Sequence, residues 1–242
     1  MRLRDLARAR PGYGYGRLTT MLRREGCLVN RKRVYRLYRE EGLSIRQRQR
    51  RRHVSSYKRQ PRAETTRTDE RWSIDFVSDE LSDGRRIRAL TVVDNFTRES
   101  PLLAVGRSMT GDHVTELLEA LAREGRVPET ISCDNGPEFI SKAMDLWAYS
   151  RGVKLEFSRP GKPTDNAYIE SFNSRLRQEC LNQHWFETIE EARERIEKWR
   201  EDYNTCRPHS SLGGLAPQEF KRAWAAKQKG REGENTSTAA GT

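Results

Sequence analysis

From Trp72 onward the hydrophobic pattern changes period in a set order, and that order restricts the fold more than any other feature of the chain. Trp72-Ser-Ile-Asp-Phe-Val77 alternates as a half-buried strand does, and residues 87–93 and 102–105 follow as two more. Asp83-Gly84, between the first two, is a hairpin signal, because glycine adopts positive φ without a steric cost. Thr110 can cap a helix whose Val114, Leu117, Leu118 and Leu121 share one face, stopped by Gly125 and Pro128. Residues 130–133 read as a fourth strand, 141–151 as a helix and 153–157 as a fifth strand. Three strands in series followed by strand, helix and strand predict an α/β fold: a mixed five-stranded sheet flanked by helices. Beyond it, 166–181 and 188–203 read as helices and 161–165 as a turn-rich loop. Residues 229–242, poor in apolar bulk, read as a disordered tail.

Charge divides the 242-residue chain unevenly. Residues 1–71 hold 22 basic and 7 acidic side chains, a net of +15, whereas the remainder nets −4. Such polarity describes a basic, nucleic-acid-binding arm joined to a near-neutral domain with its own core. Within the arm, residues 12–43 read as two short helices. Leu18, Met21 and Leu22 share a face of the first, and Gly26 ends it. Asn30 is a good N-cap for the second, whose Val34, Leu37 and Tyr38 form an apolar stripe flanked by Arg31, Lys32, Arg33, Arg36 and Arg39. A helix-turn-helix with a phosphate-facing second helix and a plain helical hairpin both fit this pattern. Periodicity then vanishes from 46 to 70. Arg46, Arg48, Arg50, Arg51 and Arg52 crowd the start of that stretch, whose like charges resist packing and suit a linker that tracks phosphates. The predicted organisation is a helix-turn-helix module at 1–45, a basic linker at 46–70, a core with a helical extension at 71–228, and the tail.

Cys27, Cys133, Cys180 and Cys206 show neither CxxC nor Cys/His spacing, so they read as reduced thiols and not as a zinc site or a disulfide framework. His53, His113, His184 and His209 include no pair at ligand spacing. There is no signal peptide and no apolar run of spanning length. The expected setting is the cytosol, inside the cell where DNA is, with no membrane partner.

Three acids stand at telling places: Asp75 in the first strand, Asp134 at the end of the fourth, and Glu170 on the following helix, 36 positions further on. Elements arranged in this order can bring the three together. Carboxylates in one site repel and raise one another's pKa unless cations neutralise them. An all-oxygen set without thiol or imidazole selects Mg²⁺ or Mn²⁺. Two such ions can activate a water or a 3′-hydroxyl and stabilise the leaving oxygen of an in-line phosphoryl transfer. Asp94, Glu138 and Asp165 are the competing acids, of which Asp94 and Glu138 read as structural or DNA-facing.

Several segments resemble the integrase core of DDE transposases, specifically the OrfB-type transposases of the insertion-sequence 3 family, relatives of retroviral integrases. They are Trp72-Ser-Ile-Asp-Phe, Val92-Val-Asp-Asn-Phe-Thr-Arg98, Ser132-Cys-Asp-Asn-Gly-Pro-Glu-Phe139, Asp165-Asn-Ala-Tyr-Ile-Glu-Ser-Phe-Asn173 and Tyr203-Asn-Thr-Cys-Arg-Pro-His-Ser-Ser-Leu-Gly213. The resemblance runs from about residue 13 to 222. It implies a ribonuclease H-like fold, Asp75, Asp134 and Glu170 as the catalytic, metal-binding triad, and the helix-turn-helix reading of the arm. It also places a basic residue seven positions after the glutamate, here Arg177, on the same helix face and suited to a DNA phosphate. Many relatives carry Lys there. Tyr203, Arg207 and His209 match a family motif and are expected to pack or touch DNA.

The implied activity is that of a transposase that cleaves and joins double-stranded DNA at insertion-sequence ends. It would work as a homo-oligomer on DNA, with an upstream-frame DNA-binding protein fused by frameshifting as a further partner. Two rivals are a plain nuclease of the same fold and an inactive or regulatory DNA-binding remnant. The remnant is considered because Met1 lies close to the helix-turn-helix.

Overall fold

The computed structural model describes residues 2–45, 65–159 and 166–239, with side chains to residue 228. The arginines at 46–52, most of the expected linker and the loop at 161–165 therefore lie outside the described residues. Two compact units are present: residues 1–64 with 208–214, and residues 65–207 with 215–242. The segment 208–214 thus groups with the N-terminal unit and not with the sheet.

Among its described residues the first unit holds three α-helices where two helices were expected: α1 (Arg2–Ala9), α2 (Tyr15–Arg24) and α3 (Arg31–Glu40). Leu6 of α1, Tyr13, Leu18 and Leu22 around α2, and Val34 and Tyr38 of α3 bury one another. Asn30 caps α3 as its residue type predicts, its side-chain oxygen accepting the Lys32 N–H at 2.9 Å. Gly26, at φ +83°, turns the chain after α2 through a conformation that other side chains rarely adopt.

The second unit is built on one five-stranded sheet of order β3-β2-β1-β4-β5, from β1 (Arg71–Glu80), β2 (Arg86–Asp94), β3 (Leu102–Gly106), β4 (Thr130–Cys133) and β5 (Lys154–Phe157). β1, β2 and β3 pair antiparallel, while β4 pairs parallel with β1 and β5. This is the mixed sheet expected from the order of the sequence. β1 and β2 run longer than their apolar cores because the turn at Gly84 (φ +81°) lets pairing continue to Glu80↔Arg86. Alternation along the strands divides the core between the two faces. Trp72, Ile74, Leu90, Val92 and Ile131 pack on α4 (Gly111–Arg123) and α5 (Lys142–Arg151). Val77, Ile87, Ala89 and Val93 pack on α6 (Ala167–Glu179) and α7 (Ile189–Thr205).

The expectation of a disordered tail from residue 229 is corrected. α8 (Pro217–Ala239) runs through most of it as backbone helix. Pro217 opens that helix at the position where a missing N–H costs nothing. Once a helix is nucleated, each further residue adds a backbone hydrogen bond whether or not it has an apolar side chain. Among the described residues no helix is long and apolar enough to cross a membrane.

Candidate active site

β1 and β4 are paired only from Arg71↔Thr130 to Ser73↔Ser132, and then part. Asp75 and Asp134 each lie two residues beyond that last pair, at the carboxyl end where parallel strands splay into a crevice. Asp75 shares its sheet face with Val77, the face packed against α6. That helix places Asn166, its N-cap, with Glu170, Asn173 and Arg177 at i, i+4, i+7 and i+11, one stripe of its surface.

The side chains around the crevice are held from several directions. Asp75 accepts the Phe76 N–H on one oxygen at 2.7 Å and the Asn173 amide on the other at 2.8 Å. Asp134 accepts the Gly136 N–H at 3.0 Å, closing an Asx turn, while the Asn135 amide donates to the Ser158 carbonyl at 2.9 Å. A Cβ on Gly136 would lie 3.0 Å from an Asp134 oxygen and 3.2 Å from a Glu138 oxygen, so a larger residue would push these carboxylates aside by a few tenths of an ångström. On the other face of the sheet, Arg88 pairs with Glu138 and lies 4.1 Å from the centre of the Phe76 ring, which stacks on Phe139.

Burial pushes the Asp75 carboxyl up to about 6, and the neighbouring negative charges of Asp134 and Glu170 push the same way against its two hydrogen bonds. Three acids contributed by β1, the end of β4 and α6 therefore share one electrostatic field. Among the described residues, no Lys or Arg forms an ion pair with any of them, and no three His, Cys, Asp or Glu side chains close on a point to hold one ion. The donors are oxygens alone, and the half-buried Asp75 carboxylate has no Lys or Arg counter-charge paired with it among the described residues. This chemistry fits a hard divalent cation better than a thiol or imidazole metal.

The competing acids are otherwise employed. Asp94, fully buried, accepts from Asp69 N, Phe96 N, Thr97 N and the Thr97 hydroxyl, and so folds the turn after β2. Burial dominates its shift and pushes its pKa up. Glu138 is also desolvated, yet its Arg88 partner outweighs that and holds it below its ordinary value. Asp165 lies outside the described residues. All four cysteines are free, and burial pushes the thiols of Cys133 and Cys180 up to about 12.

Arg177 is exposed and donates to the Ser78 carbonyl at 2.8 Å, which places its guanidinium along the open edge of β1. On α3, Arg31, Lys32 and Arg36 are all exposed. Arg31 lies 5.2 Å from the centre of the Tyr15 ring, and Arg36 pairs loosely with Glu40 at 3.5 Å. Tyr203 and Arg207 are buried, and both pack. Arg207 makes two 2.7 Å bonds to Glu179 at the end of α6. Asn166, Asn173 and Glu179 escaped notice in the sequence. The signal for the two asparagines was their place in the family-like segment Asp165–Asn173 and their seven-residue spacing around Glu170, but neither names a role.

Integrase core domain models match residues 65–163 and 151–217, and an HTH-like domain model matches residues 2–53. The chain is 50% identical over 219 residues to the insertion element IS407 uncharacterized 31.7 kDa protein of Burkholderia multivorans, covering 90% of this chain and 79% of that one. It is 28% identical to the putative transposase InsK for insertion sequence element IS150 of Escherichia coli, covering 86% of this chain and 77% of InsK. Among solved structures, the HTLV-2 integrase catalytic core domain in complex with magnesium, in a trimeric form, aligns with a TM-score of 0.51 at 17% identity. That alignment covers 63% of this chain and 96% of the HTLV-2 domain. The sheet and its helices thus have the ribonuclease H-like fold of retroviral integrase cores.

Proposed function

The chain belongs to the insertion-element transposases of the insertion-sequence 3 family, with an HTH-like domain and an integrase core, and from that membership we propose a specific activity. It cleaves and joins DNA strands at the ends of its element by metal-dependent phosphoryl transfer through Asp75, Asp134 and Glu170. The observation that carries this reading is the shared field of the three acids where β1 and β4 part. The three carboxylates would hold Mg²⁺ or Mn²⁺, two ions in all, which supply charge stabilisation and an activated oxygen nucleophile when bound.

The protein's own part is placement. Phe76 N and Asn173 fix both oxygens of Asp75, and the Gly136 turn fixes Asp134. α6 carries Glu170 on the stripe that faces β1. Arg177, tethered at Ser78, is placed to hold a phosphate near the crevice. Arg31, Lys32 and Arg36, with Arg46, Arg48, Arg50, Arg51 and Arg52 of the linker, supply attraction for the backbone of double-stranded DNA. We take the working form to be a homo-oligomer on DNA in the bacterial cytoplasm, and an upstream-frame DNA-binding protein to be a further partner.

The test is incubation of the full chain with a duplex carrying its element's ends, in Mg²⁺ or Mn²⁺. Nicked and strand-transferred products are expected. Nicking without joining would favour a plain nuclease, and binding with neither product would leave a regulatory remnant. The basic arm makes a separate claim. A fragment beginning at residue 65 should bind DNA with a log affinity that falls less steeply with log salt than that of the full chain. The difference should be several units of slope, since each neutralised phosphate adds about 0.9. Equal slopes on end-containing and unrelated DNA would show that the arm does not carry the contact.

A further inference from the structure

The side of β1 that faces β4 is unpaired beyond Ser73, so its backbone acceptors there need partners from elsewhere. α6 supplies them. The Asn166 amide donates to the Ile74 carbonyl at 3.2 Å and Arg177 donates to the Ser78 carbonyl at 2.8 Å. Between these two, Asn173 donates not to backbone but to the Asp75 carboxylate, at 2.8 Å. Three polar side chains on the Glu170 stripe thus clasp the strand that bears Asp75.

Two of these bonds repair a strand edge, which any fold of this kind requires. The third does something else. The other amide atom of Asn173, its oxygen, is buried with no hydrogen-bond partner among the described residues. A buried acceptor left unmet costs free energy, and an apolar side chain of similar volume would fill the space without that cost. Nor does packing account for the residue, because the buried contacts of α6 are made by Ile169, Phe172 and Leu176. What Asn173 does, together with the Phe76 N–H on the other oxygen, is fix the rotation of one carboxylate while leaving its charge intact.

We propose that Asn173 is a positioning residue, whose amide fixes the rotation of Asp75 and so sets the direction in which that carboxylate meets a divalent cation. This rests on the reading of Asp75 and Glu170 as partners in one site. A neighbour that orients a ligating group typically changes metal affinity 10- to 100-fold when removed. The carboxylate itself remains in the variant, so the effect is on affinity more than on the maximal rate.

The experiment measures Mn²⁺ binding to the full chain without DNA by electron paramagnetic resonance, alongside single-turnover cleavage across a Mn²⁺ series. Asn173→Ala and the near-isosteric Asn173→Leu are each expected to weaken Mn²⁺ binding by roughly 10- to 100-fold. Both should shift the cleavage curve to higher Mn²⁺ and leave metal-free DNA affinity within about twofold. A purely structural residue would lower the melting temperature without moving either Mn²⁺ curve. Should one variant fail to fold, the other decides. Wild-type Mn²⁺ affinity in a folded variant overturns the proposal. Asp75→Asn, measured in parallel, separates the two levels. If it binds Mn²⁺ and cuts as wild type does, the site reading fails and this inference falls with it. If it is dead while both Asn173 variants match wild type, only the inference fails.

Discussion

Asp75→Asn, Asp134→Asn and Glu170→Gln should each lower the rates of cleavage and joining by roughly a thousandfold or more, corresponding to ~4 kcal/mol of lost transition-state stabilisation. Amides keep the shape of the side chains and remove the charge that would retain a divalent cation. The fold should survive, because none of the three acids holds an ion pair with a Lys or Arg among the described residues. Asp75→Asn should in fact stabilise the metal-free protein near pH 7. Its carboxyl is pushed from the ordinary 3.8 up to about 6, so above pH 6 both states carry the anion, but the folded state holds it partly desolvated beside two other acids and the unfolded chain leaves it in water. Allowing for the part of Asp75 that solvent reaches, the gain is about 1–2 kcal/mol. As pH falls through 6 the native carboxyl takes up its proton, and the advantage of the variant fades, vanishing below the ordinary carboxylate range. Saturating Mg²⁺ should reverse the ranking, stabilising wild type alone. Thermal melts with and without Mg²⁺ at pH 5 and 7.5, together with end-cleavage assays, check both halves. A variant that cuts at near wild-type rate is removed from the site.

What could be read from the sequence, and what could not, follows from where each signal resides. The sheet strands declared themselves because alternation is a local property, and β4 (Thr130–Cys133) was read to the residue. α1 was missed because four of the chain's first ten residues are arginines, which hide the Leu3, Leu6 and Ala7 face behind the look of a charge run. The tail was misread because low apolar content was taken for disorder, whereas a nucleated helix such as α8 needs little apolar content to continue. The acids stood out because each sits at the end of a legible element, or at a spacing that the family resemblance supplies. Asn173 did not. Its meaning depends on Asp75, 98 positions away, and a single asparagine mid-helix carries no local mark of that partner. Arg207 stood in a family motif and was expected to pack or touch DNA, but its partner Glu179, 28 positions away at the end of α6, was silent for the same reason. Pairing across a core is a property of the fold, and residue type alone does not announce it.

The largest stability loss is expected at that buried pair. Arg207 forks onto Glu179 through two 2.7 Å bonds, with side chains 3% and 6% exposed, and its guanidinium lies 5.4 Å from the centre of the Tyr203 ring. Glu179 is the last residue of α6, nine positions after Glu170, and Arg207 follows the end of α7. The pair therefore joins the far end of the Glu170 helix to its neighbour. Arg207→Ala takes the two-pronged bond away from a desolvated carboxylate and should cost about 3–5 kcal/mol. For a domain of this size that is a fall in melting temperature of roughly 10 °C. Arg207→Lys should be intermediate, because a point charge cannot reproduce a two-pronged contact or the stacking on Tyr203. The double variant Arg207→Met/Glu179→Leu should recover most of the loss, since apolar replacement removes both desolvation penalties together. The exposed pair of Arg2 with Glu25 serves as the contrast: its side chains are 58% and 30% exposed, and breaking it should scarcely move the melt. A melting temperature for Arg207→Ala within 2 °C of wild type, or a double variant no better than the single, would show that the bond at the end of α6 is not what keeps that helix in place.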